Sequence, residues 1–132
     1  MGLESLAPSM ANDPEFMNWL ANYFRSGASP SAAMVLTKMN TQVDIVDILG
    51  SIKVPTLLMQ RTQDIDVKIE EGKFIANRIK GAKFVEFEGE DHLFWVGNTQ
   101  EILDTKRSFI LHIKPVVTFQ NFSNLRMPIL LF

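Results

Sequence analysis

Residues 54–95, VPTLLMQRTQDIDVKIEEGKFIANRIKGAKFVEFEGEDHLFW, decide the fold. The opening run 54–59 is almost uninterruptedly apolar, with a proline near its start where a missing N–H is tolerated. Such a run predicts a strand covered on both faces, as in a parallel sheet between helices. The chain then turns polar at once over 60–64. Beyond it, Ile69, Gly72, Ala76 and Ile79 share one stripe, with Ile75 beside it, the spacing of a helix. Glu70 and Glu71 sit in its first turn, Arg78 and Lys80 in its last, and Gly81 follows, each where the helix dipole and C-cap geometry favour it. Gly72 within the stripe would let the helix backbone come close to the sheet. Residues 82–87 are β-prone, and a strand-helix-strand unit of this length closes as a right-handed parallel crossover. That connection brings the acids after the first strand and His92 after the second to one sheet edge, the edge at which open α/β sheets hold their sites.

His92 follows Gly89 at a strand-loop junction, where an imidazole is accessible and tunable. Three acids compete to partner it. Asp64 directly follows the first strand, Asp66 is the alternative acid two residues on, and Asp91 ranks third because neighbouring loop residues rarely aim at each other's rings. Against these readings stand the bland ones, a structural histidine and solvated loop acids. Phe94 and Trp95 belong to an apolar loop expected to line a pocket beside the site. His112 falls late in a helix, where a cation suits the dipole.

Residues 54–59, then Asp64, then Gly89-Glu90-Asp91-His92, resemble the closing part of an α/β-hydrolase. The resemblance covers roughly residues 14–113 and is best between 50 and 104. In that family the acid follows the penultimate core strand and the histidine the last, in the chain order nucleophile, acid, histidine. By position the resemblance implies Asp64 as triad acid and His92 as triad base, with hydrolysis of a small ester-like substrate in a complete protein. It fails at the nucleophile, because the family's G-x-S-x-G turn does not occur in this sequence. Ser26, Ser29 and Ser31 come nearest, but Phe24 stands where glycine should precede Ser26. The expectation is a hydrolase fragment inactive alone. The alternative is an interaction or dimerisation module on a truncated scaffold, since a cut parallel sheet exposes an edge that invites self-association or a complementary N-terminal half.

The fold class expected is thus α/β: a partial α/β-hydrolase fold with a short parallel β-α-β core, two N-terminal cap-like helices and a C-terminal helix. Residues 1–12 read as a flexible lead-in and 13–52 as the cap-like segment. There Asp13-Pro14 and Ser29-Pro30 each give an N-cap followed by proline at the first helical position. Residues 43–52 suggest a short surface helix. The core takes 53–114, ending in a helix that opens with a capping-box-like Asn98 and Glu101 and stops at Pro115. Residues 115–132 are apolar without steady period: an extra strand, an unstructured end, or sequence from outside the native frame.

At 132 residues and a formal charge of −2, one domain is expected, with no electrostatic case for nucleic acid or an anionic membrane. The absence of cysteine excludes disulfides and fits a cytoplasmic protein. No apolar run reaches the roughly 18 residues of a membrane span. No cofactor is expected: phosphate-cradling glycine motifs are absent, and Glu88, Glu90, Asp91 and His92 lack the spacing of zinc or calcium sites.

Overall fold

The computed structural model describes residues 2–113 and 129–131. Strand β1 (Thr56–Arg61) starts two residues after the apolar run and ends two after it. Pro55 has no N–H to give, so pairing begins just behind it. At the other end Gln60 and Arg61 find partners for their polar groups and stay in the strand. β1 pairs in parallel with β2 (Lys83–Phe87), Leu57 opposite Lys83 and Arg61 opposite Phe87. Helix α4 (Ile69–Arg78) connects them, so the architecture is α/β around a parallel β-α-β unit, as the sequence predicts.

Alternation along β1 assigns its side chains to two faces. Leu57 and Met59 pack with Phe87 of β2 and Ile102 of α5 (Thr99–His112), and Val85, Phe94 and Phe109 close the margin. Each such buried side chain contributes about 1.5–3 kcal/mol. The opposite face receives α4. A Cβ placed on Gly72 would lie 2.0 Å from Gln60 Oε1 and 2.9 Å from the Phe84 ring, so only glycine allows the helix this near the sheet. A third strand, β3 (Ile129–Leu131), runs parallel to β1 on its other side, giving the order β2-β1-β3. The rest of the apolar tail and Pro115 lie outside the described residues.

Upstream, Asp13 caps α1 (Pro14–Gly27) by accepting the N–H groups of Glu15 and Phe16, both at 3.0 Å. Ser29 caps α2 (Pro30–Gln42) through the N–H of Ala32, and α3 (Val46–Leu49) is a single turn. Three expectations are corrected here. Residues 2–12 are not loose: Leu3–Ser5 and Pro8–Met10 form 3-10 turns, and Ala7 is fully buried with Leu20, Leu93 and Val96. The lead-in is held because it covers the loop that carries His92. α2 buries none of its residues, so it is not packed down onto the core as a cap-like helix would be. Asn98 does not cap α5; its side-chain amide donates to Glu101 instead, at 3.2 Å. Among the described residues no helix is long and apolar enough to cross a membrane.

Candidate acid–base site

Beyond the ends of β1 and β2 the parallel ladder continues into the loops. Thr62 N–H donates to Phe87 O at 2.9 Å and Gln63 N–H to Gly89 O at 3.0 Å. These two rungs lash the loop carrying the acids to the loop carrying the histidine. Asp64 comes next, its side chain only 4% exposed. One carboxylate oxygen, Oδ1, accepts the N–H groups of Asp66 and Val67 at 2.8 and 3.1 Å, a local turn that fixes the side chain. The other, Oδ2, lies 2.8 Å from Nδ1 of His92. Residues 28 apart in sequence are thereby joined at the carboxyl ends of adjacent parallel strands.

A carboxylate can only accept, so Nδ1 carries the proton of this bond, and in the neutral imidazole Nε2 is left as a lone-pair acceptor. The His92 side chain is 26% exposed, so Nε2 can meet a small molecule. Asp66 stands on the far side, its Oδ2 4.0 Å from Nε2, beyond hydrogen-bond reach. Asp91 turns away: its Oδ1 accepts Ser9 N–H at 3.0 Å and its Oδ2 accepts the Ser9 hydroxyl at 2.8 Å.

The backbone at His92 is held from two sides. Leu6 O accepts the N–H groups of both His92 and Leu93, each at 3.0 Å. From beneath comes Arg61, a buried cation that sequence reasoning passed over as part of a polar turn. Its guanidinium donates to Asp91 O at 2.7 Å, to Leu93 O at 3.1 Å and to Val96 O. No carboxylate among the described residues forms an ion pair with it. Three carbonyl dipoles solvate the charge, and in return the charge fixes the shape of the 91–96 loop. Gly89 makes room for the same side chain. Its φ of +130° is glycine backbone, and a Cβ there would stand 2.9 Å from Arg61 Cδ. The sequence shows only a cation at the end of an apolar run; the burial that demands satisfied donors is seen in the structure alone.

Two spaces adjoin the pair. A crevice of about 20 Å³ between Arg61, Asp91, His92 and Phe94 has room for a water and little else. The larger, about 310 Å³, extends under α3 and α4 along the sheet. Phe94 lines the crevice, whereas Trp95 lines neither space and is 41% exposed, stacked edge-on against Phe94. Trp95 as a pocket-lining residue is therefore corrected: the loop turns its ring outward while Leu93 and Val96 face the core. Among the described residues no three acidic or histidine side chains converge so as to hold a metal ion.

Comparison of the chain with protein-family models, curated proteins and solved structures gave no match. The functional reading therefore rests on the residues themselves.

Proposed function

We propose that this chain carries the acid and base of an α/β-hydrolase-type site, His92 as the base and Asp64 as the carboxylate that orients it. The observation that carries this reading is the 2.8 Å contact between His92 Nδ1 and Asp64 Oδ2 at the ends of paired parallel strands. In such a site Nε2 takes the proton of an attacking hydroxyl, and the carboxylate holds the tautomer and stabilises the imidazolium that forms. The substrate class is a small ester-like molecule. With no G-x-S-x-G turn in the sequence the chain forms no covalent intermediate by itself. The lack of cysteine is compatible with a reducing, cytoplasmic setting.

The test is a chimera. The full chain, including the lead-in that holds the His92 loop, joined behind the nucleophile-bearing half of an α/β-hydrolase should hydrolyse p-nitrophenyl esters, and His92→Ala should abolish the activity. The chain alone should stay at the buffer blank. A folded chimera that is silent, or an isolated chain whose esterase activity disappears with His92→Ala, would overturn the proposal.

A second reading has its own support. Met34, Val35, Leu36 and Met39 of α2 are all more than half exposed, although the helix is firmly capped. A helix that is apolar and uncovered suits an interaction or dimerisation module, in which the Asp64–His92 pair is residual.

A further inference from the structure

The larger space beside His92 has the volume of a small-molecule site, and its walls are unevenly divided between apolar and polar groups. Its 310 Å³ fall at the lower end of the range for ligand pockets. Leu49, Leu58, Ile75 and Phe84 make an apolar body, and Gln60 and His92 stand at the polar end. The hydrogen-bonding capacity of that end can be counted. Both oxygens of Asp64 are taken, by two backbone N–H groups and by the imidazole. Gln60 gives one of its two amide N–H groups to Val67 O at 2.6 Å, which fixes the orientation of the amide. Its Oε1 is pressed against Gly72, 2.0 Å from where a Cβ would be, so the helix covers its approach. Apart from the covered Gln60 Oε1, the polar atom of this end that has no hydrogen-bond partner is Nε2 of His92, an acceptor in the neutral ring. A head group that engages this nitrogen brings a hydrogen. An anionic head group would lose affinity against the Asp64 and Asp66 carboxylates, and a cationic one would give up its hydration in a mainly apolar space.

We propose that this cavity binds a neutral, mainly hydrocarbon molecule bearing one hydroxyl, an aliphatic or aromatic alcohol. The O–H donates to His92 Nε2 and the hydrocarbon lies against Ile75 and Phe84. The proposal does not rest on the hydrolytic reading, since it needs neither a nucleophile nor turnover, and the chimera assay can fail while this site stands.

The experiment titrates the isolated full chain with p-cresol and, separately, with toluene, following backbone amide shifts by NMR. Toluene has the same shape without the hydroxyl. p-Cresol should bind about fivefold more tightly, the worth of one net neutral hydrogen bond. In His92→Phe the advantage of p-cresol over toluene should disappear. Ile75→Trp, which fills the body of the cavity, should remove saturable binding of both. Equal affinities in the unmodified chain, a p-cresol advantage that survives His92→Phe, p-cresol binding that survives Ile75→Trp, or no saturable binding of either probe would each overturn the assignment. His92→Phe needs no separate folding control, because toluene binding reports an intact cavity.

Discussion

Replacing Arg61 with methionine keeps much of the stem that packs in the core and removes the guanidinium, so it isolates what the cation does for the histidine loop. Three carbonyls, of Asp91, Leu93 and Val96, lose their donor. An abandoned buried acceptor costs about 1–3 kcal/mol, so the gross loss is roughly 3–9 kcal/mol. Two effects offset it. The unfolded chain no longer gives up the hydration of a charge on folding, and water can reach the loop, whose neighbours Glu90 and Trp95 are exposed. The net expectation is a destabilisation of about 2–4 kcal/mol. Because Arg61 reaches the loop from below and Leu6 O holds it from above, the damage should begin at the loop: the His92 and Leu93 amides should exchange with solvent faster than those of β1. Urea unfolding gives the global number and amide exchange the local one. Arg61→Lys, with a single ammonium in place of the fork, should recover part of the stability but not the exchange protection. An Arg61→Met protein within about 0.5 kcal/mol of the parent, with His92 and Leu93 as protected as before, would refute the view that this cation shapes the loop.

Three further outcomes are expected. Gly72→Ala should cost about 1–3 kcal/mol in urea despite alanine's better helix propensity, since the new methyl meets Gln60 Oε1 and the Phe84 ring; a stabilised protein would mean that α4 can stand off the sheet at no cost. Asp64→Asn keeps an oxygen for the Asp66 and Val67 amides but offers the imidazole the wrong partner, so stability should fall by about 1 kcal/mol while the low-field Nδ1 proton resonance of His92 disappears; its persistence would contradict the hydrogen-bond assignment. Leu36→Lys with Met39→Lys should lower any self-association seen by light scattering without altering thermal stability; a parent chain that is monomeric at all concentrations would remove the support for the dimerisation reading.

The crossover was legible because each of its parts announces itself locally. Apolar residues bunch in β1, α4 carries its stripe, and Asp13-Pro14 and Ser29-Pro30 mark helix starts that the structure places at the same residues. What could not be read was long-range. Arg61 finds its acceptors 30 to 35 positions away, so its sequence neighbourhood shows only a polar residue at a strand end. Residues 2–12 are short on apolar periodicity, and their order comes from the side of the His92 loop they cover, not from propensity. In the same loop Phe94 turns in and Trp95 out, a choice made by local backbone direction that composition cannot express. The strand limits shifted for a milder reason: proline set the start, and tertiary partners for Gln60 and Arg61 set the end.

The two backbone rungs from Thr62 to Phe87 and from Gln63 to Gly89 have a consequence for how this unit can vary. They fix the distance between carboxylate and imidazole at the point of use, so the length of the intervening helix is free of that duty. Adding one full turn to α4, about four residues, would lengthen the sequence separation and leave the atomic separation alone. Shifting either strand by a single residue would do the reverse, preserving the sequence spacing almost unchanged while carrying Arg61 and Phe87 to the wrong face.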